Sequence, residues 1–303
     1  MQGSQRFPVM VLAYNEEAQI GSCIDSIFSA NPGMDFDVYV MANGCTDGTE
    51  DVVRAYEKKH PDVHLVSIKM GDKCNAWNVF IHDTVPNQCP GREIYFFMDG
   101  DARSGPSALA NLAKALREDA HAHASSAPPG SGRNKEKDAY NLVTERALVA
   151  NLYALRGSFV DRLKDEQVRL PLKLEGDDGL LGALVKWDLA PGKSGWDDTR
   201  IHPCTDAWFE FDPVPMTSVS EWRKYWRRLV RYGRRRYEFQ ILGKRLPRMG
   251  LAGLPVNIQD VYGDAEQLSM GWAGIYTFTH ALALREMRSI ARSRRRDQQG
   301  TTG

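Results

Sequence analysis

Residues 94–98 read Ile-Tyr-Phe-Phe-Met without a polar break, and the run stops at Asp99-Gly100-Asp101. So short a run cannot make a stable helix. An unbroken aromatic and aliphatic stretch of this kind is the pattern of a strand buried on both faces. Its end sets two carboxylates, one residue apart, at the carboxyl edge of a sheet. In open α/β sheets that edge is where ligands bind. Two acids this close repel each other unless a cation or hydrogen-bond donors lie between them. Carboxylate oxygens are the ligands that hard cations such as Mg2+ and Mn2+ prefer. The competing reading is an acidic turn, since Asp-Gly is a common turn former. The stretch alone leaves the two level, and the rest of the chain decides.

Residues 8–13 are another short apolar run, followed by Tyr14-Asn15-Glu16-Glu17 and then Ile20, Ile24, Ile27 and Phe28 at helical spacing. Asn31-Pro32-Gly33 stops that helix. Residues 37–42 predict the next strand, leading into Asn43-Gly44-Cys45-Thr46-Asp47-Gly48-Thr49, with Thr46 or Asp47 placed to cap a helix carrying Val52, Val53 and Tyr56. Residues 63–68 predict a third strand. Residues 73–85 put Ala76, Trp77, Phe80, Ile81, Thr84 and Val85 on one helical face. After the acidic strand, Leu109, Leu112, Ala113 and Leu116 mark a helix, with Ser104 as its expected cap and Pro106 near its first turn. Strict alternation predicts an α/β fold with a mainly parallel, Rossmann-like sheet and helices on both faces.

The pattern loosens after Asp119. A helix is expected over 140–152 and a strand or edge element within 155–163. A second acidic cluster, Asp177-Asp178-Gly179, opens a helix to about Val185. From Glu221 the character changes: Trp222, Tyr225, Trp226, Leu229 and Val230 fall on one helix face, and the positions between are largely Arg or Lys. A Gly/Pro-marked stretch, 247–255, separates this from a last helix around 272–290 that ends in Arg294-Arg295-Arg296. The expected division is a catalytic domain over 1–212, with nucleotide-sugar binding in 8–116 and the acceptor side in 120–212. Residues 213–303 form a basic, amphipathic helical region that packs on or covers the site.

The 303 residues carry as many basic as acidic side chains, so the molecule as a whole is not a polyelectrolyte, although its C-terminal third is strongly basic. The five cysteines show no CxxC spacing, which suits reduced thiols better than a disulfide framework. No apolar signal core opens the chain, and no apolar run approaches the roughly 18 residues of a membrane span. The expectation is a cytoplasmic protein, able to touch the inner face of a membrane.

Three loops, at Tyr14-Asn15-Glu16, Asn43-Gly44 and Asp99-Gly100-Asp101, fall at strand ends and would line one sheet edge. A nucleotide there finds amides and carboxylates for base and ribose. Lys73 opens a helix just before the acidic strand and is placed to face a phosphate; a solvated lysine is the plainer alternative. Taken in order, Pro-x-x-x-x-Ala-Tyr-Asn-Glu-Glu, Asn-Gly-Cys-Thr-Asp-Gly-Thr, Lys73-Cys74-Asn75-Ala76-Trp77-Asn78 and Asp99-Gly100-Asp101 resemble a family 2 glycosyltransferase of the GT-A fold, over roughly residues 8–235. Each motif alone is weak; four in sequence are strong.

The resemblance implies roles. Ala13, Tyr14 and Glu16 border the nucleotide, the last two at base and ribose. Asn43 stands where many members carry Asp to hold the base, and Asn can still hydrogen-bond a base edge. Asp99 binds ribose or a metal-bound water, and Asp101 ligates a Mn2+ or Mg2+ ion. That ion offsets charge on the departing diphosphate. Asp177-Asp178-Gly179-Leu180-Leu181 is similar to the family's later acidic pair, with Asp in place of Glu. This makes Asp178 the general base for a sugar hydroxyl, with Asp177 raising the pair's proton affinity. From spacing alone Asp178 reads rather as a helix N-cap. A single acceptor-side base implies in-line displacement with inversion. Arg228-Leu229-Val230-Arg231-Tyr232 occupies the place of the family's Gln-x-x-Arg-Trp; only Arg231 matches, and it is expected to reach the diphosphate or an acceptor.

The expected function is transfer of a sugar from a nucleotide-diphosphate sugar, first of all a UDP-sugar, to a hydroxyl of a small-molecule or lipid-linked acceptor. The alternatives are a sugar nucleotidyltransferase, which would carry a Gly-rich N-terminal loop that Tyr14-Asn15-Glu16-Glu17 is not, and a non-catalytic basic docking or RNA-binding protein. The basic helix is read first as a core-packed helix with a solvated face. It is read next as a surface for anionic membrane lipid. Nucleic acid comes last, because no RNA-binding motif accompanies the helix. His121 and His123 read as surface residues; His202 lies in a variable region near the substrate side, and no role is assigned to it.

Overall fold

The computed structural model describes residues 6–132, 135–212, 219–269 and 274–300; the side chains of 219–225, 275 and 298–300 lie outside the description. The first half alternates as the sequence predicts. β1 (Arg6–Ala13), α1 (Ile20–Ser29), β2 (Asp35–Asn43), α2 (Thr49–Glu57) and β3 (Val63–Ile68) come first. α3 (Lys73–Val79) passes through a π-helical turn (Phe80–Thr84) into α4 (Val85–Gln88), and β4 (Ile94–Asp99) follows. The π turn precedes Pro86, whose missing N–H breaks the regular ladder. Next are β5 (Ala102–Ser104), α5 (Ala108–Glu118), β6 (Ala124–Ser126), α6 (Lys135–Glu145), β7 (Leu152–Arg156), α7 (Gly157–Asp165) and α8 (Asp177–Lys186). β8 (Ile201–Pro203), β9 (Phe209–Phe211), α9 (Val219–Met249) and α10 (Thr277–Gly300) complete the chain.

The main sheet runs β3-β2-β1-β4-β7-β6-β8, and β5 pairs with β9 in a small second sheet. β3, β2, β1 and β4 are parallel; β7 is antiparallel to both β4 and β6. β4 is buried on both faces, as its unbroken apolar run requires. Tyr95 and Phe97 enter one core with α3, α7, α8, α9 and α10, while Ile94, Phe96 and Met98 enter the other with α1, α2 and α5. Phe97 stacks on Tyr153 of β7 at 4.7 Å between ring centroids. The helices of the basic C-terminal region therefore share a core with the sheet. Among the described residues no helix is long and apolar enough to cross a membrane.

Several local expectations are corrected. The helix expected over 140–152 ends at Glu145, where Arg146 takes φ 45°, and Leu152 already belongs to β7. β7 is an interior strand rather than an edge element, and α7 follows it directly. Ser104 caps nothing: it lies in β5, and Ser107 precedes α5. Gly48, not Thr46 or Asp47, is the N-cap of α2, although Asp47 Oδ1 accepts from the Thr49 amide at 3.0 Å. α9 runs through Pro247 to Met249. Trp272, the expected start of the last helix, lies outside the described residues, as do the side chains of Trp222 and Tyr225.

Replacing Phe97 by Ala removes a ring buried between two layers, at an expected cost of about 3–5 kcal/mol. Denaturant unfolding should show the midpoint falling with an unchanged slope.

Candidate active site

β1 leads to β2 and β3 on one side, whereas β4 lies on its other side, so the strand order reverses between β1 and β4. In open α/β sheets ligands bind beside the carboxyl ends of the strands at such a switch point. Ala13 and Tyr14 close β1, and Asp99-Gly100-Asp101 closes β4. Gly100 is required there. Its amide donates to the Leu12 carbonyl at 2.7 Å, and a Cβ would lie 2.9 Å from that oxygen and 3.3 Å from Ala13 Cβ. The Gly between the acids lets the β4 turn lie against the end of β1.

The two loops on the β1 and β2 side are tied together. Asn15, at φ 57°, accepts from the Thr46 amide at 2.7 Å; Glu16 N–H donates to Thr49 Oγ1 at 2.8 Å; Glu17 accepts from the Gly48 amide at 3.0 Å. Asn43 is buried, and its Oδ1 accepts from the Asp72 amide at 2.8 Å. Tyr14 is 56% exposed, whereas Ala13 is buried.

Lys73 occupies the centre. Its ammonium lies 3.1 Å from Asp99 Oδ1 and 3.5 Å from Asp177 Oδ2. Burial alone would lower its pKa, but the charges of Asp177, Asp99 and Asp178 outweigh burial and raise it. It is a bridging cation rather than a solvated lysine. Asp99 also accepts from Asn151 Nδ2 at 3.2 Å. Its carboxyl is pushed up to about 6 by burial, against Lys73 and with help from Asp177 and Asp101. Burial, then Asp101, Asp99 and Asp47, push Glu16 up to about 7. Asp101 itself is exposed.

Asp177 and Asp178 form the first turn of α8, where the positive end of the helix favours carboxylates. Asp178 is not the cap. Gly176 is, at φ 99°, and Asp178 Oδ1 accepts from the Gly179 amide at 2.8 Å. The same oxygen lies 3.1 Å from an Arg235 nitrogen. Burial raises the pKa of Asp178, opposed by Arg235 and reinforced by Asp177. Arg235 is the α9 side chain brought to this pair; Arg231, expected at the diphosphate or an acceptor, is exposed one turn away. Glu175, just ahead of the acids, is held by Arg234 at 2.9 Å, and its amide donates to buried Glu238 at 2.8 Å.

The half-open pocket among Lys73, Trp77, Asp99, Tyr153 and Asp177 holds about 20 Å³, room for one water. Burial first, and neighbouring carboxylates second, raise Asp99 and Glu16 even with Lys73 close to Asp99. Oxygen donors in that state fit a hard divalent cation. Such an ion is commonly held by one or two carboxylates and takes its other ligands from water and phosphate. Among the described residues no group of three His, Cys, Asp or Glu side chains makes a complete metal site.

Asn151, Arg235 and Glu238 were missed by sequence reasoning. Only Glu238 left a trace, as a lone acid within the basic run. The histidines stand apart. His121 is exposed beside Asp197, but His123 is packed on Phe159 and 3.0 Å from Asp188, so it is no free surface group. His202 pairs with Asp119 at 3.1 Å.

Substituting Gly100 by Ala should destabilise the protein by about 1–3 kcal/mol, since the added methyl has no room; thermal unfolding reads the loss. Glu238 predicts a pH dependence. Burial pushes its carboxyl up to about 7, despite hydrogen bonds from Tyr262 and the Glu175 amide. The folded state thus keeps a proton that the unfolded chain, titrating near 4.5, has released. This contribution to stability is full below about 4.5, falls as pH rises to about 7, and is flat above. Glu238→Gln should remove that slope in urea unfolding measured from pH 4.5 to 8.

Residues 5–154, about half of the chain, match the family described as "Glycosyltransferase like family 2". No curated protein matches the chain in sequence. Among solved structures, a mannosyltransferase from Pyrobaculum calidifontis in complex with GDP-Man and Mn2+ is 19% identical, with 94% of this chain and 82% of that one covered at a TM-score of 0.57. TarS 1-349 from S. aureus in complex with UDP-GlcNAc is 14% identical, covering 96% and 92% at 0.49. A glucosyl-3-phosphoglycerate synthase from Mycobacterium tuberculosis, with Mn2+, UDP-glucose and phosphoglyceric acid, is 21% identical, covering 70% and 73% at 0.48. The family match falls on the strands that build the β1–β4 crevice, and the fold is that of the mannosyltransferase: the chain belongs to glycosyltransferase family 2 and has the GT-A fold.

Proposed function

We propose that the protein transfers a sugar from a nucleotide-diphosphate donor to an acceptor hydroxyl with inversion at the anomeric carbon. The observation that carries this is the Lys73 bridge, because one ammonium reaches both Asp99 and Asp177. The acids at the end of β4 and the acid pair opening α8 are thus neighbours across one crevice, as a donor site and a base must be.

On the donor side, Ala13, Tyr14 and Glu16 border the nucleotide and Asn43 its base. Asn43 Oδ1 is already committed to Asp72, which leaves its amide N–H groups as donors. Donors suit a base edge with a carbonyl oxygen, uracil or guanine. A UDP-sugar stays the first expectation, and the GDP-Man of the mannosyltransferase supports guanine as the second. Asp101 and Asp99 are the residues that would hold Mn2+ or Mg2+. Such a cation supplies Lewis-acid offset of the charge gathering on the leaving diphosphate. Lys73 adds a fixed positive charge on the same side.

On the acceptor side, Asp178 takes the hydroxyl proton as the oxygen bonds to the anomeric carbon. The bond from that carbon to the diphosphate breaks, and its electron pair leaves with the phosphate. Burial and Asp177 make Asp178 a better proton acceptor than a solvated carboxylate. Its ion pair with Arg235 must open for this step.

A thermal-shift panel of UDP-, GDP- and ADP-sugars tests the reading. A donor at a hundredfold over its Kd adds about 2.7 kcal/mol to stability. A UDP- or GDP-sugar should raise the melting temperature with Mn2+, and Asp101→Asn should abolish the rise. Asp178→Asn should keep the shift yet lose about 100-fold or more of turnover, read as donor consumption. Absence of any shift, with or without cation, sinks the proposal.

A further inference from the structure

On α9, Arg228, Arg231 and Arg235 stand at i, i+3 and i+7, so they share one helix face. Arg235 is where this face meets the acids. Its guanidinium lies 3.1 Å from Asp178 and 5.4 Å from the Phe239 ring centroid. A Cβ on Gly176 would lie 2.6 Å from Arg235 Nε, so the turn before the acids passes directly beneath this side chain. One and two turns farther from the acids, Arg231 and Arg228 are exposed. Among the described residues neither has a carboxylate within ion-pair distance, whereas Arg234, on another face, pairs with Glu175. Arg228 is held in place: its Nε–H donates to the Tyr232 hydroxyl at 2.6 Å, and its guanidinium lies 5.5 Å from that ring. Tyr232 is itself 47% exposed beside the row.

Like charges at this spacing repel along a helix unless an anion lies across them. Guanidinium forks match the oxygens of a phosphate two at a time. We propose that Arg228, Arg231 and Arg235 form the acceptor subsite and that the acceptor carries a phosphate or diphosphate group. The proposal rests on the reading of Asp178 as the base. The phosphate competes for Arg235 and draws it off Asp178, so the carboxylate becomes free as the acceptor arrives. The exposed ring of Tyr232 offers a face for the rest of the acceptor. The phosphate belongs either to a soluble compound or to a lipid headgroup.

The test is isothermal titration of inorganic pyrophosphate into the full chain in EDTA. Without a divalent cation the donor-side acids repel the anion, so binding reports the arginine row. Wild-type protein should bind, and Arg228→Gln/Arg231→Gln should bind about tenfold or more weakly, since each charge-assisted contact is worth about a factor of ten. The Arg228→Lys/Arg231→Lys pair, which keeps charge without the fork, should fall between. Equal binding by all three, or none by the wild type, overturns the proposal. A wild-type donor shift with Mn2+ alongside such a failure leaves the transferase reading standing. Flotation on phosphatidylglycerol vesicles, lost in the Gln pair, assigns the phosphate to a lipid. Pyrophosphate binding without flotation assigns it to a soluble acceptor. Undiminished flotation of the Gln pair counts against the row.

Discussion

Five carboxylates, one ammonium and one guanidinium crowd the end of the sheet, and their balance governs the rest of the molecule. Lys73 is shared by Asp99 and Asp177, and Arg235 neutralises Asp178. Among the described residues neither Asp101 nor Glu16 has an ion pair, and Glu16 is driven up to about 7. A charge cluster of this kind costs folding energy. Buried carboxylates with raised pKa values at the carboxyl edge of a sheet support reading the cluster as a site rather than a structural ion pair.

The fold holds the cluster in place by backbone as much as by side chains. Lys73 opens α3, capped by Asp72, whose other oxygen accepts from the Lys173 amide at 2.7 Å. The loop before α8 is thereby tied to the start of α3. Behind α8, Glu238 and Arg234 of α9 grip Glu175, and Tyr262 donates to Glu238 at 2.5 Å. α9 is thus tied to the start of α8 through Arg234, Arg235 and Glu238, while apolar residues of α9 and α10 lie in the core.

How much of this the sequence discloses follows from where each signal is encoded. The first four strands and their helices are legible because burial on both faces demands unbroken apolar runs, and turn residues mark their ends. β7 is not: Leu-Tyr-Ala-Leu-Arg carries residues that suit a helix equally well, and only pairing with β4 and β6 makes it a strand. Asp99 and Asp101 stood out at the end of an apolar strand, whereas Asp178 came from the resemblance, since spacing alone reads it as a helix N-cap. Asn151 and Arg235 were hidden, because each acts through a contact fixed by how distant elements dock. Arg231 carried the resemblance, and Arg235, one turn on, is the side chain that docking delivers to Asp178. Glu238 was missed as well, although it stands buried in a largely basic helix.

The central claim is that the end of β4 and the start of α8 are two walls of one substrate crevice. A crystal structure of the protein with Mn2+ and a nucleotide-diphosphate sugar tests it most directly. The account predicts the diphosphate beside Asp101 and Lys73, with the anomeric carbon facing Asp178. A nucleotide bound elsewhere, such as in the roughly 560 Å³ groove lined by Asn78, Leu170 and Leu254, would contradict it.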